Sequence, residues 1–293
     1  MDPSSQLDAL TEINLDDLFA ALGWPWGRRV LAPLFRPAAR AFAQQVAGFD
    51  RLVGEQGLSA GAAWLTARFV RTLSIAQVAP LPPDAPLLFL ANHPGMADTT
   101  ALFTAIGRAI GRTDLRVVAT ERPFLTELRH VRQQVLFLTD DPARRLAAVR
   151  AVIAELRAGR PVLTFPAGAI EPDPDVAPGA IESLQRWSES AVLFARRTPG
   201  AVVVPTLVRG VVAPGAQNHL LTRLRRSPRG RERMAATIQI LWPGYRGVHV
   251  RVALGRPIVA AETPDLHAAV LAEMTRLITE PPTDFELVLR GVA

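Results

Sequence analysis

After residue 86 the chain alternates between short apolar runs and helical repeats, and this alternation restricts the fold more than any other feature. Runs at 87–91, 115–119, 134–138, 161–165 and 201–208 have strand length. Apolar residues at helical spacing fill 98–110, 122–131, 142–158, 181–197 and 263–279. Strands alternating with helices predict an α/β fold, a mixed and largely parallel sheet covered by helices. Further strands are expected at 237–242 and 248–254, with an arginine-rich stretch over 221–233 between them and the sheet. Ahead of the first strand, Ala79-Pro80-Leu81-Pro82-Pro83-Asp84-Ala85-Pro86 holds four prolines in eight residues, which forbids helix and central strand. The expected organisation is an N-terminal helical segment over 1–79, a Pro-rich linker at 80–86, and an α/β domain over 87–293.

The N-terminal segment predicts a helix near 8–22, a break at Gly23-Trp24-Pro25-Trp26-Gly27, and a second helix over 28–49. In that second helix Leu31, Leu34, Phe35, Ala38, Phe42, Val46 and Phe49 form an apolar stripe. Arg28, Arg29, Arg36 and Arg40 lie between them, and Pro33 and Pro37 should break or kink its first turns. A third helix is expected over 62–78, with Trp64, Leu65, Phe69, Leu73 and Ile75 beside Arg68 and Arg71. Basic amphipathic helices bearing Trp and Phe suit an anionic membrane surface. The same stripes suit a helical cap packed on the main domain. Both readings stand at this level.

The 293 residues include no lysine and no cysteine, and the net charge is +6. Every cation is therefore a permanently charged, fork-shaped Arg, suited to phosphate and carboxylate. Anionic partners are favoured: lipid head groups, an acidic carrier protein or phosphorylated substrates. Nucleic acid is not expected, because the run Arg223, Arg225, Arg226, Arg229, Arg231, Arg233 contains no aromatic residue for base stacking. A solvated loop is the plainer reading of that run. Without cysteine there is no disulfide, thiolate nucleophile or thiolate metal site. The histidines at 93, 130, 219, 249 and 267 lack ligand spacing, so no metal is expected. The start, Met1-Asp2-Pro3-Ser4, does not read as a secretory signal, and no apolar stretch is long enough to span a bilayer. A cytoplasmic protein lying peripherally on a membrane is expected.

Chemistry concentrates where the first strand stops, at Asn92-His93-Pro94-Gly95, with Asp98 at the start of the following helix. Five residues on a regular helix leave side chains about 140° apart, so His93 and Asp98 meet only if the turn bends one back onto the other. Pro94 and Gly95 are residues that make such bends. A histidine takes a proton from a hydroxyl near neutral pH, and a carboxylate on its other nitrogen fixes the tautomer. No serine or cysteine nucleophile is evident in these loops. The pair thus suits activation of a substrate hydroxyl for direct attack. Alternatively, Asp98 is an N-cap of a helix beginning Thr99-Thr100, and His93 a hydrogen-bonded loop residue.

A second strand ends in Phe165-Pro166-Ala167-Gly168, with Glu171 close behind, and a third carries Val204-Pro205. If these strands are parallel, the loops after the first two lie side by side. In order and spacing, 87–208 resembles the glycerolipid and lysophospholipid acyltransferase family. Its Asn-His-x4-Asp motif is matched by Asn92, His93 and Asp98, its Phe-Pro-Glu-Gly motif by Phe165-Pro166-Ala167-Gly168, and its final Val-Pro by Val204-Pro205. The resemblance implies that His93 is the general base, oriented by Asp98. An acceptor hydroxyl of a glycerol-phosphate or lysolipid attacks an acyl thioester, acyl-CoA or acyl carrier protein, with no tightly bound cofactor.

Two departures bear on the acceptor. Ala167 stands where the family has Glu, which looks more like bacterial lyso-ornithine lipid acyltransferases, and Glu171 is the nearest acid. The family's second motif ends in an arginine for the acceptor phosphate. Here Gln134-Val135-Leu136-Phe137-Leu138-Thr139-Asp140-Asp141 has none, leaving Arg144, Arg145 and Arg122 as candidates. Asn92, Phe165, Pro166 and Gly168 complete the expected substrate-binding set. The alternatives are an acyltransferase for a lyso-aminolipid without phosphate and a non-catalytic lipid-binding protein on the same fold.

Overall fold

The structure, a computed structural model, describes residues 3–292. Three helices come first: α1 (Pro3–Leu22), α2 (Arg28–Gln56) and α3 (Leu58–Thr66). Then β1 (Val70–Gln77), β2 (Leu87–Ala91), α4 (Met96–Ile110), β3 (Arg116–Thr120), α5 (Pro123–Thr126), β4 (Val135–Leu138), α6 (Pro142–Arg157) and β5 (Val162–Thr164) follow. The second half holds α7 (Ala180–Ser183), α8 (Ser190–Arg196), β6 (Val202–Arg209), α9 (Pro214–Gln217), α10 (Leu220–Arg223) and α11 (Pro228–Leu241). It closes with β7 (Val248–Leu254), β8 (Ile258–Val259), α12 (Leu266–Thr279) and β9 (Glu286–Arg290).

The strands form one sheet in the order β4-β3-β5-β2-β6-β7-β1-β9, with β8 on β6. From β4 to β6 every pairing is parallel. β7 runs antiparallel to β6, β1 parallel to β7, and β9 antiparallel to β1. The fold is therefore the expected mixed, largely parallel sheet covered by helices. β2 lies between β5 and β6 and is buried along its whole length. Leu87, Phe89 and Ala91 join the core beneath α2, α3 and α4, and Leu88 and Leu90 join the core under α6, α8 and α12. A strand buried on both faces has to be apolar throughout, as this one is. The close fit of α4 on α3 needs Gly107, where any side chain would strike Ser59.

Several expectations give way to the structure. Residues 62–78 are not one helix: α3 ends at Thr66, and β1 begins at Val70 with β-branched Val70, Thr72 and Ile75 fitting a strand. β1 belongs to the sheet, so the Pro-rich stretch connects two of its strands. Residues 237–242, expected as a strand, close α11, which starts from Ser227 with its side chain capping Gly230 N–H at 3.1 Å and Pro228 at the first position. Pro33 and Pro37 lie inside α2 without ending it. Both prolines are exposed, so water can reach the carbonyls that lose their helical donor. Finally, the helices expected over 122–131 and 181–197 are each divided into short turns, and β9 forms where no element was expected.

Candidate active site

Because β2, β3, β5 and β6 are parallel, residues following their C-terminal ends share one edge of the sheet. His93 follows β2, flanked by the 165–171 loop after β5 and the 210–212 loop after β6. A ligand site at this lip of a parallel sheet is the usual place for one.

Asp98 is not the N-cap. That position falls to Gly95, and Asp98 is the third residue of α4. Gly95 is fully extended (φ 178°, ψ −167°), a conformation open to any residue. The approach to His93 comes instead from the helix, whose Cα–Cβ bonds tilt toward the N-terminus. The Asp98 carboxylate therefore reaches back over the cap and accepts from Gly95 N–H at 2.8 Å and His93 Nδ1–H at 2.8 Å. Its other oxygen accepts from the N–H and the hydroxyl of Thr99. Asp98 is completely buried. From the third helical position one carboxylate thus serves both the first turn of α4 and the imidazole.

With Nδ1 so engaged, His93 keeps Nε2 without a partner among the described residues, and 29% of its side chain is exposed. The Phe165 ring lies 4.8 Å away, tilted 37°, and limits the imidazole's rotation. Burial alone would lower the His93 pKa. The Asp98 charge and hydrogen bond, with the Glu171 charge, outweigh it and hold His93 above its ordinary 6.5.

Glu171 does not open toward a ligand. One oxygen accepts from His93 N–H at 3.1 Å, the other from Ser183 Oγ and Trp187 Nε1, both at 2.9 Å. Its own N–H donates to His93 O at 2.8 Å. Burial pushes its pKa up, against those three donors. It ties the 165–171 loop to the backbone of His93. Asn92 is likewise spent on the scaffold: its amide donates to Val208 O at 2.9 Å and accepts Val208 N–H at 2.8 Å, prolonging the ladder between β2 and β6. Sequence reasoning missed Asp173, buried, whose carboxylate accepts four backbone N–H groups, from Asp175, Gly210, Val211 and Val212. It also missed Asp175, held between Arg209 and Arg251.

The turn Phe165–Gly168 closes with Gly168 N–H on Phe165 O, Pro166 buried and Gly168 exposed at φ +60° with open space around it. Two glycine N–H groups of these loops are committed, Gly95 to Asp98 and Gly168 to Phe165. The N–H groups of Ala167, Ala169 and Ile170 have no protein acceptor among the described residues. Arg144 pairs with Glu121 at 3.1 Å and Arg145 with Asp140 at 3.4 Å, both on the surface. Arg122 is exposed after β3 and, with Arg233 of α11, lies within electrostatic reach of Asp17 on α1. Among the described residues no group of three or more His, Asp or Glu could hold a metal ion.

No protein-family model matches the sequence, and no curated protein matches it. Among solved structures, the chain is similar to the 1-acyl-sn-glycerophosphate (LPA) acyltransferase PlsC from Thermotoga maritima. The two are 15% identical over 97% of this chain and 100% of that one, with a TM-score of 0.47.

Proposed function

We propose that the protein is an acyltransferase in which His93 Nε2 takes the proton of an acceptor hydroxyl while that oxygen attacks the acyl carbon of a thioester. The C–O bond forms, a tetrahedral intermediate collapses, the C–S bond breaks, and the proton passes from His93 to the leaving thiolate. The observation that supports this most is the His93 Nδ1–Asp98 contact of 2.8 Å, which aims an unpartnered Nε2 outward from the lip of β2. Asp98 stabilises the imidazolium as it forms. The unpartnered N–H groups of Ala167 and Ala169, on the loop beside His93, are the best-placed donors for the oxyanion. Acyl-CoA or acyl carrier protein serves as donor.

The acceptor is a glycerol-phosphate or lysolipid hydroxyl, with the exposed Arg122 after β3 as a cation for its phosphate. A second reading, a lyso-aminolipid without phosphate, is favoured by the turning of Arg144 and Arg145 into local ion pairs and by Ala167 in place of an acid. Incubation of the purified chain with both donor types and a panel of lysolipids, with and without phosphate, decides between them. Transfer to hydroxyl acceptors is expected. Its absence across the panel would overturn the reading.

The raised pKa of His93 fixes the pH dependence. A general base must be neutral, so kcat/KM should fall as pH drops through the His93 pKa, on a limb lying above 6.5. The same shift makes the His93–Asp98 contact stabilising below 6.5, and that stabilisation is lost as pH rises through the raised value. A pH–rate profile whose acid limb lay below 6.5 would contradict the assignment.

A further inference from the structure

His93 lies just beyond the sheet that carries it. The pairing of β2 with β5 ends at Leu90 and Thr164, and that of β2 with β6 at Ala91 and Thr206. Asn92 prolongs the second pairing by one residue, through its side chain. Neither neighbouring strand therefore holds the His93 backbone, and the bond from Asp98 fixes the imidazole only relative to α4. A base whose main chain shifted would carry Nε2 away with it.

Both main-chain polar groups of His93 are answered by one residue, 78 positions on. Glu171 N–H donates to His93 O at 2.8 Å, and one Glu171 carboxylate oxygen accepts His93 N–H at 3.1 Å. The other oxygen accepts from Ser183 Oγ and Trp187 Nε1, each at 2.9 Å. Ser188, next in the chain to Trp187, donates its N–H to Pro166 O at 3.1 Å. The 165–171 loop is thus tied to the 183–188 segment near both its ends, and at its far end to His93 as well. Ala167 and Ala169, whose N–H groups have no protein acceptor among the described residues, lie between these ties. Glu171 is fully buried. Three donors converge on its two oxygens from two sides, and only an ionised carboxylate offers an acceptor to each side; an amide turns an NH2 toward one of them. A buried polar network that is fully satisfied in this way is stiff.

We propose that Glu171 is a positioning residue for the transfer reaction, holding His93 Nε2 and the N–H groups of Ala167 and Ala169 at the separation that the attacking hydroxyl and the acyl carbonyl together require. The proposal rests on the acyl-transfer reading, and Glu171, enclosed by its partners, touches no substrate. A misplacement of about 1 Å between reacting groups costs about 100-fold in rate. That loss falls on the chemical step and not on substrate binding.

Two substitutions in the full chain separate geometry from charge. Glu171→Asp keeps the charge but is one methylene too short to serve both sides, whereas Glu171→Gln keeps the length and loses the charge. Each is expected to lower kcat per folded chain at least about tenfold with KM nearly unchanged, and either variant decides the point if the other fails to fold. The charges that raise the His93 pKa belong to Asp98 on α4 and to Glu171, which in turn lies within electrostatic reach of Glu232 on α11. Glu171→Gln removes one of them, so its acid limb should move to lower pH while that of Glu171→Asp stays near the parent's. The His93 ring titration followed by NMR, assigned by the resonance missing in His93→Ala, reads the same shift without turnover. A parent chain that transfers acyl groups beside two folded variants with its kcat would overturn the proposal and leave the acyl-transfer reading standing. So would a raised KM at unchanged kcat, which would make Glu171 a binding residue. A parent chain that transfers none would remove the acyl-transfer reading, and a His93 titration unchanged in Glu171→Gln would then overturn the proposal by itself.

Discussion

Replacing Asp98 by Asn is expected to lower acyl transfer by about 1,000- to 10,000-fold, with the folded state retained. The amide oxygen would keep both Thr99 bonds, while an NH2 set where one oxygen serves His93 and Gly95 leaves the Gly95 N–H without its acceptor, at a cost of about 1–3 kcal/mol. What changes is the imidazole. An amide NH2 turned toward Nδ1 makes that nitrogen an acceptor and moves the ring proton to Nε2, where it blocks uptake of a proton from a hydroxyl. The negative charge that holds the His93 pKa up is lost as well, so the remaining activity should show its acid limb at lower pH than the parent. Rates measured across pH for both chains read the two effects separately. A variant within tenfold of the parent, with the same acid limb, would remove Asp98 from the mechanism.

The largest effect on stability is expected at Asp173. Its carboxylate takes Asp175 N–H and Gly210 N–H on one oxygen, both at 3.0 Å, and Val211 N–H at 2.7 Å and Val212 N–H at 2.9 Å on the other. Asp173→Ala orphans these four donors, each costing about 1–3 kcal/mol when left unpaired in the interior, so a loss of about 4 kcal/mol or more is expected. That approaches the whole stability of many domains, about 5–15 kcal/mol. Asp173→Asn keeps one acceptor oxygen and should fall between. Urea midpoints order the three chains, and an alanine variant that unfolds with the parent would contradict the account. The 210–212 loop also packs beside Gly95, so the Asn variant should lose turnover along with stability.

Strands β2 to β6 were legible because each is a short, continuous apolar run ended by Gly, Pro or polar residues, and the parallel arrangement followed from the helices between them. β1 was not. Phe69, Leu73 and Ile75 continue the helical spacing of Trp64 and Leu65, and nothing between Thr66 and Val70 punctuates the change from helix to strand. Residues 237–242 failed for the converse reason: Thr237-Ile238-Gln239-Ile240 alternates polar and apolar like a half-buried strand, and the Ser227-Pro228 start lay too far upstream to weigh against it.

The candidate site divides along the same line. His93 and Asp98 are five residues apart, close enough for sequence to offer the pair, but the sequence put the bend at Pro94-Gly95, whereas the N-terminal tilt of the α4 side chains brings Asp98 back. The parts played by Glu171 and Asp173 were not legible, because their partners are backbone N–H groups 78 and 38 residues distant, brought close only by the sheet order. Asn92 was visible as polar, but not as a clip on Val208, for the same reason.

The central claim is that His93 is the base for acyl transfer to a hydroxyl. Its most direct measurement compares the parent chain with His93→Ala, using a thioester donor and a lysolipid acceptor under identical conditions, and records the thermal transition of each. The account predicts a loss of at least about 100-fold in transfer with the transition kept, the range for removing a positioned general base. Transfer by His93→Ala at the parent rate would contradict it.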